Sequence, residues 1–578
     1  MSAGPREVRR AIPVVILGLL LSGCSTVPTE SAPVAITQLD GGVDQPVGVE
    51  PLSPEPGAIP EEIARGFIES SASTAPGRPV SREYLTAQSK ESWDDTASIT
   101  VIEPEISAVT SGSDTAVTVT GTLVGTVDQA GIFTPEIDRF SVAFPVVLED
   151  EQWRISEPPA GIYITRIDFA RAYEQRDIYF MDGTGRFVVP DPRFFVRGGR
   201  VQSTQLVERL LSGPSLWLAP AVVNQLADME LVSNVLVTGR RARVELSQDR
   251  ERSNESLEGL SAQLAHTLLG QLSVQTLEVT LNGNPLQLPG IGVVQELSDW
   301  LSFDPDADAA AVTGVGHYLD AGAVRTQDGN PIAGPAGEGL YGLTSAAVSI
   351  DENNGELLSL AGLADTGPSA TLYVGPYGGD LAPVLTGPRM TAPSWSGVAE
   401  EVWTVLNGSD VVRIPTGGPA QAVSAAELAG IGVVRAFELA RGGSRAALII
   451  DTPSGPALFL ARIQRTADTI SVSGPLAIAP SLTGVRDVAW TSADSLIVLA
   501  TDPSGGQVVP YTIGVDGWGI NELTTDGLPG EPDSVAALPN RASLVSATGT
   551  VWQLVTEVWA VLIRGQAPLS GSAPFYPS

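Results

Sequence analysis

The chain's only thiol is Cys24, and its only imidazoles are His266 and His317. These three residues bound the chemistry available to it. One cysteine cannot form an intramolecular disulfide or a cysteine-based metal cluster. Neither histidine lies in a His-Glu-x-x-His pattern, and no Gly-x-Ser-x-Gly or phosphate-binding loop accompanies them. A Ser-His-Asp triad and a histidine metal cluster therefore lack support. Asp304, Asp306 and Asp308 have the spacing that opens a calcium loop. Ala309 stands where that loop needs glycine, however, and Val315 where it needs a bidentate glutamate, so an acidic linker is expected. Gly337, Gly339 and Gly342 match Gly-x-Gly-x-x-Gly, but no helical pattern follows them, and a turn between strands is expected instead of a dinucleotide site. With 66 acidic residues, some carboxylate pair at glycosidase spacing is inevitable and carries no specificity. The expectation is a chain without catalytic residues, metal or cofactor.

Cys24 is different, because what precedes it is ordered. Arg6, Arg9 and Arg10 form a basic start, and Ala11 to Leu21 is an apolar run. A helix needs about 20 apolar residues to span a bilayer core, so this run is too short to cross and has the length of a signal-peptide core. It ends in Leu21-Ser22-Gly23-Cys24, which resembles the lipobox of bacterial lipoproteins. Small residues there admit the signal peptidase, and the thiol takes a diacylglycerol, with palmitate as an expected acyl chain. Cleavage before Cys24 would leave a lipid-anchored protein on the extracytoplasmic face of the cell membrane.

The elements that follow must carry any function. The net charge is −33, a field that disfavours nucleic acid and anionic headgroups and favours solubility. Lys90 is the only lysine among 33 basic residues, which reads as a GC-rich genome. Residues 24–57 contain Pro28, Pro33, Pro46, Pro51, Pro54 and Pro56 and read as a lipidated, Pro-rich tether. From Ile59 the pattern becomes globular. Pro60-Glu61-Glu62 looks like a helix start with Ile63, Phe67 and Ile68 on one face. Period-2 runs follow at 116–124 and 140–148, and Trp153-Arg154-Ile155 ends a small α+β domain, 58–165. Phe67 and Trp93 are expected in its core.

Residues 190–300 read as a second small α+β domain. Ser203 is placed to cap a helix carrying Leu206, Val207, Leu210 and Leu211, which Gly213-Pro214 stops. Val235 and Val237 alternate, Gly239-Arg240 turns the chain, and Ala242, Val244 and Leu246 alternate back. Leu257, Leu260, Leu264 and Leu268 mark one face of a second helix. Leu277, Val279 and Leu281 form a strand that ends in the hairpin turn Asn282-Gly283. The segment resembles the GerMN domain through Leu210-Leu211-Ser212-Gly213-Pro214, Val244-Glu245-Leu246-Ser247, Gln263-Leu264-Ala265-His266-Thr267-Leu268 and Val279-Thr280-Leu281-Asn282-Gly283. That family offers no catalytic residues to carry over, and a helix-surface or packing role is expected for His266.

Beyond Phe303 helical periodicity stops. Paired β-like runs recur with anchors Val348, Trp395, Phe437, Trp490 and Ala537, which fall 47, 42, 53 and 47 residues apart. A divergent repeat of that period reads as a β-propeller over 303–578 with about five or six blades, a pair of β-sandwiches being the alternative. His317-Tyr318-Leu319 could supply a strand that closes the ring with the C-terminal unit. Trp395, Trp403 and Trp490 could stack on glycan rings, but inside blade strands packing is expected. Signal peptide 1–23, tether, small domain, GerMN-like domain and propeller, taken in that order, resemble the LpqB family of actinobacterial lipoproteins. The resemblance implies association with the MtrA–MtrB two-component system, through the ectodomain of an MtrB-like sensor histidine kinase, and a role in cell-envelope homeostasis. Two readings remain: a non-enzymatic lipoprotein acting by protein interaction, and a peptidoglycan-binding or glycan-hydrolysing envelope protein.

Overall fold

The computed structural model describes residues 51–103, 107–110, 116–197, 202–307, 315–351 and 355–578, which belong to one unit. Cys24 with its lipobox, and Asp308 and Ala309 of the acidic run, lie outside the described residues.

Pro60 opens the helix Pro60–Ser70. It has no N–H to leave unpaired in the first turn, and its fixed φ suits that position. Glu62 reaches back to accept from the Ile59 N–H at 3.0 Å. The expected face is buried, with Ala64 added to it. Phe67 packs on Trp93 and Phe144, ring centroids 5.0 and 5.8 Å away. The period-2 runs form a long antiparallel pair, Ala116–Val127 with Phe133–Glu149. Their sheet runs in the order 152–155, 133–149, 116–127, 99–102, 162–165, and its last pair is parallel.

The next element, a strand pair Tyr173–Asp182 and Val188–Val196, is one the sequence reading left unassigned. Two prolines and the buried Asp191 and Arg193 break its alternation. It shares a core with the second domain: Ile178, Phe180 and Phe195 pack with Leu206, Leu260 and Leu264. The two expected helices are Gln202–Ser212 and Asn254–Leu268. Ser203 falls inside the first turn of the former and not at its cap. The chain passes from Arg241–Gln248 through the second helix to the parallel strand Thr276–Leu281, a βαβ crossover. Asn282 and Gly283 take φ of +49° and +78°, as a two-residue hairpin requires. Val235 is buried but Val237 is 42% exposed, because the strand there, Leu236–Thr238, is three residues long and pairs on one side only.

Every residue of the second helix from Gly259 to Leu268 is buried. The helix lies along the edge of strand 173–182 that no strand covers over most of its length, and its polar side chains stand in for the missing neighbour. Gln263 donates to Tyr179 O at 2.9 Å and accepts from Gln225 N at 2.7 Å. Thr267 Oγ1 accepts from Tyr179 N at 3.2 Å. One turn further on, Gln271 accepts from Asp177 N at 2.6 Å and donates to Asp177 O. The spacing 263, 267, 271 is one face of a helix, read here by a strand.

Among the described residues the C-terminal half is a propeller of six sheets. Five are antiparallel in chain order, at 345–387, 394–422, 433–477, 483–522 and 532–570. The sixth joins His317–Asp320 and Ala323–Thr326 to Ser572–Phe575, so the first strand and the last close the ring. Four of the anchors, Val348, Trp395, Phe437 and Trp490, sit on the inner strands and Ala537 directly follows the last; all but the half-buried Ala537 are buried. They tie each blade to the one before. Trp395 Nε1 donates to Ala347 O (3.1 Å) and Trp490 Nε1 to Glu438 O (3.2 Å). Leu439 N donates to Ser394 Oγ and Val535 N to Asp487 Oδ2.

Replacing Gln263 by leucine keeps the volume but leaves the half-buried Tyr179 O and Gln225 N without these partners. Each orphaned group costs about 1–3 kcal/mol. Gln263→Leu should therefore lower the urea midpoint clearly with an unchanged m-value, whereas an unchanged midpoint would show that the helix does not serve this strand edge.

Candidate functional site: a domain junction and the propeller channel

The three folded regions meet at a turn of the 483–522 blade. Asp516 Oδ1 accepts from Trp518 N at 3.0 Å and closes the turn. Gly517 between them has φ +85°, and a Cβ there would lie 2.8 Å from Pro135 Cγ of the first domain. The turn projects Trp518 among Phe133, Phe169 and Phe194, with centroids 5.2, 5.0 and 5.5 Å away and rings edge to face. Asp516 Oδ2 accepts from Gln175 Nε2 at 2.8 Å.

Other contacts hold the second domain to the propeller. Trp217 donates to Gly474 O at 2.6 Å, and Arg462 donates to Trp217 O at 2.8 Å. Ser444 Oγ donates to Ala221 O, and Arg445 donates to Pro190 O. The acidic linker is a clip. Asp306 accepts from Ala493 N through both oxygens at 2.9 and 3.0 Å, and Asp304 accepts from Asp306 N at 2.9 Å. Asp304 and Asp306 thus serve the junction, and Val315, where a calcium loop needs glutamate, is exposed.

Arg445 is buried at this junction within reach of the charges of Asp191, Asp177, Asp494 and Asp516. Asp177 lines a cleft of about 400 Å³ with Asp494 and Trp518. Its enclosure, and then the charges of Asp494 and Asp516, push its carboxyl up to about 8. Burial likewise carries Asp516 up to about 6, against the Trp518 N–H and Gln175 that favour its charge.

The second concavity is the propeller channel, a cavity of about 380 Å³ lined by inner strands of the blades, by Asp306 and by the 573–578 segment. Glu438 and Asp487 face into it. Burial and the charge of Asp487 push Glu438 up to about 8. Burial takes Asp487 up to about 6, opposed by the N–H groups of Val535 and Val488.

Both histidines are committed to packing. His266 is buried, and its Nε2 lies 3.1 Å from Trp300 O. His317 stacks on Phe575 and hydrogen-bonds Tyr377 Oη at 2.8 Å, and burial lowers it to about 4. Gly337 ends the one-turn helix Gly334–Gly337, and Gly339 and Gly342 follow it, in the connection between strands 323–326 and 345–350; a Cβ at Gly337 would stand 1.8 Å from Ile332 O. Trp395 and Trp403 are buried, and Trp490 is buried beside the channel. Trp403 also donates to Glu401 at 3.0 Å. Glu401 is buried between Arg413 and Arg465, both at 2.6 Å. Burial alone would raise its pKa, but Arg465 first and Arg413 next outweigh that and hold it low. Among the described residues no three His, Cys, Asp or Glu side chains converge as a metal site. Sequence reasoning missed Trp518 and the Asp177–Asp494–Asp516 group; the one available signal was an aromatic residue inside the glycine-rich turn Asp516-Gly517-Trp518-Gly519.

Two outcomes follow. Trp518→Ala removes the aromatic contact common to all three regions and should cost about 2–4 kcal/mol. Calorimetry should then resolve a separate transition for the first domain; a single unshifted transition would show the junction to be held elsewhere. The second outcome concerns pH. A carboxyl whose folded pKa is raised contributes stability below its unfolded value, and this is lost as pH climbs through the folded one. Asp177 should therefore destabilise the junction progressively as pH rises from about 4 to about 8. Asp177→Asn should flatten the fall of the melting temperature over that range, and parallel curves for the two proteins would refute the effect.

Comparison with known proteins follows the same three regions. Residues 53–170 match the family model described as lipoprotein LpqB, N-terminal domain. Residues 177–287 match the model described as sporulation and spore germination. Residues 322–577 match the lipoprotein LpqB beta-propeller domain. Lipoprotein LpqB of Rhodococcus opacus (strain B4) is 28% identical over 576 residues, covering 95% of this chain and 94% of that protein. Lipoprotein LpqB of Mycobacterium tuberculosis (strain CDC 1551 / Oshkosh) is 28% identical over 594 residues, covering 96% and 98%. The solved tandem GerMN domains of the sporulation protein GerM from Bacillus subtilis are 18% identical, covering 20% of this chain and 45% of that chain at a TM-score of 0.17, too loose a superposition to carry an argument. With domain models matched in order and relatives aligned along nearly the whole length, the chain belongs to the LpqB family of lipoproteins.

Proposed function

We propose that this protein is anchored through a diacylglyceryl thioether on Cys24 to the extracytoplasmic face of the cell membrane. There it acts by protein interaction, modulating an MtrB-like sensor histidine kinase through the kinase's ectodomain. The observation that carries the reading is the locked junction. Trp518 and the Asp306 clip join three domains into one body, which suits a protein that presents a fixed, extended surface to a partner. Both histidines are consumed by packing, which favours binding over catalysis. No helix among the described residues is long and apolar enough to cross a membrane, so attachment falls to the lipid. Each buried methylene contributes about 0.8 kcal/mol, and two acyl chains suffice for stable anchoring. Anchoring in the membrane that also holds the kinase raises the effective concentration of the pair.

The test is paired. Binding of the detergent-solubilised full chain to the kinase ectodomain is measured beside kinase output in cells carrying wild type, Cys24→Ala, or no protein. Cys24→Ala should lose diacylglycerol labelling and weaken output more than it weakens intrinsic affinity. Continued labelling would refute the anchor. Absent binding together with output indifferent to loss of the protein would refute the partner. Incubation with purified peptidoglycan covers the competing reading, since released fragments would make the protein a hydrolase.

A further inference from the structure

The propeller channel has a ligand's dimensions and an unpartnered acid on its wall. Protein interiors pack to the density of organic crystals, yet here the inner strands present Ala346, Ala347, Ala436 and Ala536 and leave about 380 Å³ open. That volume falls in the range of small-molecule pockets. Glu438 lies on the inner strand Val433–Leu439. Its carboxyl is enclosed by the blades, and what surface the residue keeps faces the cavity. Among the described residues no side chain or backbone N–H donates to it. The nearby indole of Trp490 bonds the Glu438 carbonyl instead. Asp487, on the neighbouring blade, lines the same space and is held by Val535 N at 2.8 Å. Ser345 adds a buried hydroxyl on the wall without a partner.

An enclosed carboxylate with neither a donor nor a counter-charge is costly. A second acid beside it adds repulsion. The two guanidinium groups on the lining are engaged elsewhere: Arg441 reaches Pro577 O at 3.4 Å, and Arg486 bonds Pro532 O and pairs with Glu531. A bound metal ion does not answer the need, since no three ligating side chains converge among the described residues and the space far exceeds one ion. An anion is disfavoured by the two acids and by a net charge of −33.

We propose that the propeller channel binds a small organic cation bearing a primary amine, with Glu438 as its charge partner, Asp487 as a second acceptor and Trp490, Phe575 and Tyr576 as apolar wall. The ammonium has three N–H donors, enough for both carboxylates. The site is independent of any kinase contact. Because enclosure and Asp487 raise the Glu438 carboxyl to about 8, the empty site is protonated near neutral pH, and the amine must displace that proton. Affinity therefore climbs as pH rises toward about 8.

The full chain, solubilised in detergent, is titrated with cadaverine and with lysine methyl ester, using pentanediol as the uncharged control. Melting temperature and binding heat are recorded in two buffers of different ionisation enthalpy. At least one amine should bind saturably with release of a proton, and pentanediol should not. Glu438→Gln, close to isosteric, should weaken binding at least about tenfold and abolish proton release. If that variant fails to fold, Asp487→Asn serves, with a smaller loss of affinity expected. Binding by neither amine, equal effects of amine and diol, or wild-type affinity in a folded Glu438→Gln protein would each overturn the proposal.

Discussion

Trp518 occupies the place where all three folded regions touch, and its contacts explain why those regions form one unit and not beads on a string. A chain with a net charge of −33 repels itself, so its domains need a short-range, charge-free attraction to stay together. Edge-to-face aromatic packing supplies that, each pair contributing about 0.5–1.5 kcal/mol beyond simple area burial. Three phenylalanines from two domains surround one indole from the third. The hydrogen bonds around it, Asp516 to Gln175 and Asp306 to Ala493, then fix orientation. Asp177, raised by its enclosure and by the charges of Asp494 and Asp516, works against the contact and makes it respond to pH. The junction is thus apolar in what holds it and acidic in what tunes it.

Within the second domain the organising constraint is satisfaction of a buried strand edge. Strand 173–182 pairs along one side, and elsewhere its N–H and C=O groups must find partners or carry a large desolvation penalty. Gln263 and Thr267 on one face of the helix, and Gln271 in the turn that follows it, provide them. This accounts for polar side chains at fully buried helix positions that apolar patterning alone would fill with leucine. His266 adds a bond to Trp300 O and so draws the 3-10 turn 297–303 onto the same helix.

The elements legible in the sequence were those set by local periodicity. Leu260, Leu264 and Leu268 gave a helix face, and Asn282-Gly283 gave a hairpin whose positive φ values the structure shows. The anchors Val348, Trp395, Phe437 and Trp490 marked inner strands of the blades, Ala537 fell one residue beyond the last, and His317–Asp320 took its place as the closing strand. What was not legible depended on distant partners. Strand 188–196 carries Asp191 and Arg193 inward, where they pair at 2.9 Å, and a buried ion pair in a strand has no local signature. Val237 alternated correctly with Val235, but its strand lies at an edge where alternation no longer implies burial. At the candidate sites, Asp304 and Asp306 were read as acidic linker, and only the position of Ala493 turns them into a clip. Glu438 and Asp487 were indistinguishable from other acids until the blades closed around them.

Ring closure by His317–Asp320 against Ser572–Phe575 also dictates an order of events during synthesis. The two strands are separated by about 250 residues, and closing so long a loop is slow because its entropy is lost before any contact compensates. As the chain emerges, strand 317–320 has only its hairpin partner 323–326 and shows an open edge until the last residues arrive. Such an edge invites pairing with other chains. The five complete blades can each form a local meander early, whereas the seam forms last and is the point at which an arrested or shortened chain would aggregate.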